Sequence, residues 1–186
     1  VVDLFDGEDD IAKKRLKTVG NPDERFTEDA LRMMRAIRLA AQLNFAIESN
    51  TMASISRNHK QLSHISIERI ADEFTKLINS STPMQGIAFL ERLELIDYIL
   101  PEIKDSIGCE QGGIHAYDVY EHLLRTLQAA ADKEFSTEMR FAALLHDIGK
   151  PATRRKGGKN KEYSFFGHEV VGARMTKKIL ERLKMP

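Results

Sequence analysis

Four side chains in the second half of the chain carry the residue types of a metal site: His122, His146, Asp147 and His168. Neutral imidazole and carboxylate are natural ligands of borderline divalent ions. The central pair lies in Leu144-Leu145-His146-Asp147-Ile148-Gly149-Lys150-Pro151. Ala142 to Leu145 read as buried helix, and Gly149 followed by Pro151 reads as its stop. Neighbours within a straight helix point about 100° apart, so two adjacent residues converge only where the helix ends. The spacing predicts that end at His146 and Asp147, with His122 inside a preceding helix and His168 opening a later one. A lone histidine is more often a core residue than a ligand, but four metal-type side chains on three segments make convergence the more economical reading.

A second cluster lies near the start. Asp29 and Arg32 are three residues apart, and Arg35 follows one turn later. On a helix they share a face. A carboxylate accepts hydrogen bonds and a guanidinium donates them in a fixed fork, so the pair matches a nucleobase edge that presents both kinds of group. The same pattern is also ordinary surface decoration, with acids at a helix N-terminus and i,i+3 ion pairs.

The elements that must position these residues are mostly helical. Thr27 is the expected cap of a helix whose stripe is Leu31, Met34, Ile37, Ala41 and Phe45, with Arg32, Arg35 and Arg38 opposite. Ser66 precedes a helix over 67–78, and Thr82-Pro83 starts another. Ser106, Gly108, Gly112 and Gly113 break the pattern and mark a joint at 105–114. Beyond it come helices from Tyr117, from Ser136 and from Phe165 onward. The basic loop from Arg154 to Lys161 is either a guide for a phosphorylated substrate or a solvated loop. Residues 1–22 read as two short strands and a helix, with strand partners expected in an upstream sheet.

The 186 residues hold 28 basic and 28 acidic side chains, so net charge says nothing about nucleic acid. A single cysteine, Cys109, allows no internal disulfide and fits a reducing, cytoplasmic setting. No apolar run approaches the ~20 residues that cross a bilayer. The ends, Val1-Val2-Asp3 and Lys184-Met185-Pro186, read as cuts in a longer protein.

The runs DGEDD with TVG, RFTEDALRMMRAIRLAAQL, ISIERIADEFTKLI and LERLELIDYILPEI strongly resemble the end of the head and the neck of tRNA nucleotidyltransferases (CCA-adding enzymes) and bacterial poly(A) polymerases. The runs HAYDVYEHLLRTL, FAALLHDIGKPAT and YSFFGHEVVGARM resemble the HD-type metal phosphohydrolase domain that follows the neck in many of them. The resemblance implies an all-α chain with a remnant of the α/β head at 1–22, a helical neck at 23–105 and an HD domain at 113–186, truncated at its C-terminus.

It further implies that Asp29 and Arg32 recognise CTP or ATP, with Arg35 in support, and that the partner is the tRNA 3′ end. His122, His146, Asp147 and His168 become metal ligands for Mn2+, Ni2+, Zn2+, Fe2+ or Mg2+, and Asp147 also orients a hydrolytic water. His115 and Asp118 are read as accessories, and Lys150 as a phosphate contact or helix cap. Leu39 departs from the phenylalanine of many relatives, a matter of packing. Nucleotidyl transfer needs Mg2+ held by two head carboxylates, and no such segment precedes Val1, so the resemblance implies that this segment alone adds no nucleotides. A freestanding HD hydrolase with a helical regulatory domain is the alternative.

Overall fold

The computed structural model describes residues 2–113, 116–157 and 162–185. His115 and the 158–161 part of the basic loop lie outside the described residues. The chain divides into two compact units, Val1–Ile99 and Leu100–Pro186, so the turn at Pro101–Ser106 packs with the second unit rather than closing the first. The described residues are predominantly helical.

In the first unit, α1 (Gly7–Ala12) leads to β1 (Arg15–Leu16). No upstream sheet is needed to pair this strand. β1 runs parallel to β2 (Ala46–Ile47), with Arg15 opposite Ala46 and Leu16 opposite Ile47. The helix expected from Thr27 is two helices. α2 (Pro22–Glu28) is capped by Asn21, whose side chain accepts from the Asp23 amide at 3.0 Å, with proline in the first turn. Thr27 lies inside α2 and donates its hydroxyl to the Asp23 carbonyl. The chain then breaks at Asp29, which has extended backbone (φ −152°, ψ 103°), and restarts as α3 (Leu31–Leu43).

Asn44 ends α3 in the left-handed conformation that asparagine tolerates. α4 (Ser49–Asn58) is capped by Glu48, and α5 (Ile67–Ile78) and α6 (Pro83–Arg92) complete the layer. Leu31, Met34, Ile37 and Ala41 of α3 are buried as their spacing requires, packing against α5 and α6. Fully burying a side chain such as Ile37 stabilises by roughly 1.5–3 kcal/mol.

In the second unit, α7 (Val119–Asp132) and α8 (Thr137–Leu145) pack side by side. Asp118 is the cap of α7: one carboxylate oxygen accepts from Glu121 N and the other from Gly108 N, both at 2.7 Å. Pro151 does not terminate a helix. It sits in the first turn of the short α9 (Lys150–Thr153). A two-residue hairpin, β3 (Arg155–Lys156) with β4 (Tyr163–Ser164), precedes α10 (His168–Arg182). Glu102 anchors the far end of α10 through two hydrogen bonds from Arg182.

Gly86 gives a signed test of the first core. Alanine is better than glycine in a helix interior by about 1 kcal/mol. Here, however, a Cβ would lie 2.9 Å from Leu77 Cγ and Cδ2, and Leu77 is wholly buried. Overpacking costs about 1–3 kcal/mol, so Gly86→Ala should lower the urea midpoint. A raised midpoint would show that Leu77 has room to yield.

Candidate functional site

The turn after α8 makes the expected convergence. His146 continues the helical backbone, and its Nδ1 lies 2.9 Å from the Ala143 carbonyl. A carbonyl only accepts, so Nδ1 carries a proton; the neutral ring keeps its lone pair on Nε2, and the protonated ring donates from Nε2 to Asp147. His168, at the start of α10, repeats this device, with Nδ1 2.8 Å from the Phe165 carbonyl. His122, on α7, brings its Nε2 to 3.0 Å from His146 Nε2.

Asp147 is the centre of the group. Its Oδ2 lies 3.2 Å from His146 Nε2 and 3.4 Å from His122 Nε2, and its Oδ1 lies 3.4 Å from His168 Nε2. Ligand atoms of His122, His146 and Asp147 all fall within 4.8 Å of one another. Lone pairs on fixed imidazoles facing one carboxylate suit a divalent ion, and the Nδ1–carbonyl bonds are the outer contacts that orient such ligands.

Lys150 has a different job from capping a helix. Its ammonium lies 2.7 Å from Asp147 Oδ2 and 2.7 Å from Gln111 Oε1. Burial pushes the Asp147 carboxyl pKa up, but hydrogen bonds from His146 and Lys150 outweigh this and hold it far below the usual carboxylate range. The hydrogen bond to Asp147 raises the His146 pKa.

Two glycines unmarked as site residues allow α10 to come close. A Cβ on Gly149 would sit 2.5 Å from Gly172 N and closer still to the His168 carbonyl. Backbone-to-backbone approach of this kind needs glycine on sterics alone. Glycine stands on both sides of the contact, in HDIGK and in EVVGA.

The first-unit cluster sits at the break between α2 and α3. Asp29 Oδ1 accepts from the Leu31 amide at 3.1 Å, and Oδ2 accepts from Arg69 Nη2 at 2.8 Å. Burial pushes its pKa up, but those bonds and the charges of Arg69 and Arg32 leave it lowered overall. Among the described residues the Arg32 guanidinium makes no hydrogen bond to the Asp29 carboxylate; only the Arg32 amide donates to the Asp29 carbonyl, at 3.0 Å. The guanidinium Nη1 donates to Glu28 Oε2 at 2.6 Å and to the Arg25 carbonyl at 3.0 Å. Arg35 is exposed and lies 3.5 Å from Glu73, whereas Arg38, expected on the polar side, is largely buried on Glu73 at 2.6 Å. No helix among the described residues is long and apolar enough to cross a membrane.

A helical unit gathering histidines around a histidine–aspartate pair defines the HD class. The HD domain family matches residues 119–185, and the family described as "Probable RNA and SrmB- binding site of polymerase A" matches residues 44–107. The chain is 35% identical to the A-adding tRNA nucleotidyltransferase of Deinococcus radiodurans, over all of this chain and 44% of that protein. It is 34% identical to the CC-adding tRNA nucleotidyltransferase of Thermus thermophilus, over 96% of this chain and 42% of that one. The chain thus spans less than half the length of these two relatives. Its fold also resembles the apo form of a CCA-adding enzyme, with a TM-score of 0.61 and 16% identity, over the whole chain and 38% of that structure. The chain belongs to the tRNA nucleotidyltransferase (CCA-adding enzyme) family, of which it carries a neck and an HD domain.

Two outcomes are expected of the metal centre. Protons compete with metal for imidazole, most strongly where a carboxylate raises the ring's affinity for a proton. Manganese affinity measured by calorimetry should therefore rise between about pH 6 and 8, with proton release on binding, and a flat profile would count against histidine ligation. Gly149→Ala should push α10 away and lower that affinity at least about tenfold, the range for loss of ligand support, with α7 and α8 intact by circular dichroism.

Proposed function

We propose that the chain is the nucleotide-selecting and metal-holding part of a tRNA nucleotidyltransferase, an enzyme that adds nucleotides of the 3′-terminal CCA to tRNA from CTP and ATP with Mg2+. The observation that supports the first role best is the state of Asp29. An ionised carboxylate is fixed by two donors at a helix break, beside a guanidinium whose Nε and Nη2 make no hydrogen bond among the described residues.

Cytosine and adenine each present an exocyclic amino donor beside a ring-nitrogen acceptor. Asp29 accepts from the amino group and Arg32 donates to the ring nitrogen. Uracil presents a carbonyl where cytosine has the amino group, so the same pair disfavours it. Arg35, exposed on the next turn of α3, supplies positive charge for phosphate.

In the second unit, His122, His146, Asp147 and His168 hold a divalent ion, of the Mn2+, Ni2+, Zn2+, Fe2+ or Mg2+ group, and the reaction is hydrolysis of a phosphate ester. When bound, the ion lowers the pKa of its water and polarises a phosphoryl oxygen. The chain's own residues set the stage for it: Asp147 orients the incoming water, and the Lys150 ammonium keeps that carboxylate ionised and in place.

Titration with CTP and ATP, followed by NMR, tests the first role: Arg32→Ala should weaken both nucleotides at least about tenfold, the scale of one charge-assisted hydrogen bond, and unchanged binding would sink it. Elemental analysis and hydrolysis of bis-p-nitrophenyl phosphate test the second. His146→Ala should empty the protein of metal, and Asp147→Ala should abolish turnover; turnover surviving Asp147→Ala would place the chemistry elsewhere.

A further inference from the structure

The Lys150 ammonium lies 2.7 Å from Asp147 Oδ2. The same oxygen faces His146 Nε2 at 3.2 Å and His122 Nε2 at 3.4 Å. A carboxylate oxygen has two lone-pair sites. A divalent ion ligated there needs one of them, so the ammonium has to keep to the other. A lysine stem is flexible and its head is a compact, rotatable point charge. Held by Asp147 alone, the ammonium swings about the carboxylate and competes with the ion for the lone pair between the histidines. A second acceptor removes that freedom, and Gln111 supplies it: its Oε1 accepts from Lys150 Nζ at 2.7 Å.

Gln111 is itself held in one direction. The residue is only 6% exposed, and its Nε2 donates to the Tyr117 carbonyl at 3.2 Å and to the Asp118 carbonyl at 3.5 Å. A flipped amide would set its oxygen against two carbonyls and its NH2 against an ammonium, so a single orientation satisfies both ends. The backbone before Gln111 is fastened to the start of α7. Gly108 N donates to Asp118 Oδ2 at 2.7 Å, and Val119 N donates to the Cys109 carbonyl at 3.0 Å. Gln111 therefore bridges from the first residues of α7, the helix of His122, to the first residue of α9, beside Asp147.

We propose that Gln111 is a positioning residue of the hydrolytic centre: it anchors the Lys150 ammonium to one side of Asp147, which leaves the carboxylate open to the metal and the remaining ammonium N–H free for a phosphoryl oxygen of the substrate. This rests on the reading of the histidine–aspartate centre given above. Lysine has three N–H donors, and Asp147 and Gln111 take two. The third meets no acceptor among the described residues; the Phe165 ring lies nearby, its centroid 5.6 Å from Nζ. The Lys150 side chain is only 12% exposed, so bulk water reaches this donor far less than it reaches a surface lysine. An anionic oxygen is the charge-assisted partner that it lacks.

The test is a double-mutant cycle, read as Mn2+ affinity by calorimetry, with methionine as a replacement of similar length that neither donates nor carries charge. Gln111→Met should lower the affinity about tenfold, the range for loss of a group that supports a ligand. In a Lys150→Met background the same substitution should change nothing, because no ammonium is left to place. At saturating Mn2+, Gln111→Met should raise KM for bis-p-nitrophenyl phosphate about tenfold with kcat kept, the scale of one charge-assisted hydrogen bond; an unchanged KM overturns the phosphate contact. Equal losses of Mn2+ affinity in the two backgrounds would show Gln111 acting through the start of α7 rather than through Lys150, and would overturn the proposal, as would an unchanged affinity in the single variant. Should Gln111→Met fail to fold by circular dichroism, Gln111→Glu decides. Glutamate keeps an acceptor for Lys150 and loses the two bonds to carbonyls, so Mn2+ affinity should hold, and a loss there overturns the role. If the unaltered chain binds no Mn2+, or if His146→Ala binds it equally well, the metal reading falls and this inference with it.

Discussion

A carboxylate taken out of water must be met by cations or donors, because the desolvation of an unpaired charge costs several kcal/mol. Among the described residues three carboxylates are buried, Asp10 and Glu73 in the first unit and Asp147 in the second, and each is met by cations, Asp10 by Arg15 and Lys17. In the first unit Glu73 draws Arg38, Arg35 and Lys76 to one side of α5. In the second, Asp147 draws Lys150 and three imidazoles to the turn after α8. The difference lies in what the partners can give up. Guanidinium and ammonium groups cannot ligate a metal while charged, so Glu73 is confined to holding side chains. Neutral imidazoles can, so Asp147 stands among groups that a divalent ion can recruit.

The second site was largely legible in the sequence because its distinguishing features are local. The positions of His146 and Asp147 followed from a helix ending there, and the lone pair of each turn histidine is fixed by a carbonyl only three residues back. What was not legible is the closeness of α10. Gly149 and Gly172 do not announce one another across 22 intervening positions, and Gly149 read more simply as a helix stop. The partner of Lys150 was missed for the same reason: Gln111 lies 39 residues away, in a glycine-rich stretch that gave no periodic signal.

The first site shows the opposite balance. Helices α5 and α6 followed from Ser66 and from Thr82-Pro83, but the segment around Asp29 did not. Thr27 followed by Glu28 and Asp29 has the composition of a helix start, and single-sequence spacing cannot distinguish a start from a break two residues later. The deciding facts are non-local: Asn21 already caps the earlier helix, and Arg69 holds Asp29 from α5. The strand at Arg15–Leu16 was likewise assigned a partner outside the chain, because two residues at Ala46–Ile47 are too short to read as a strand until they pair.

These two modes of construction predict two modes of failure. At the HD centre, tautomer and ring orientation are secured within one helical turn, so a distant substitution can separate the ligands but cannot readily reprogram them. Loss of convergence there passes through the glycine contact that seats α10. At the Asp29 cluster, position is secured by the helix break and orientation by α5, so the two are separable. A substitution at Arg69 leaves Asp29 and Arg32 at the same positions in the chain's path and releases only the orientation of the Asp29 carboxylate.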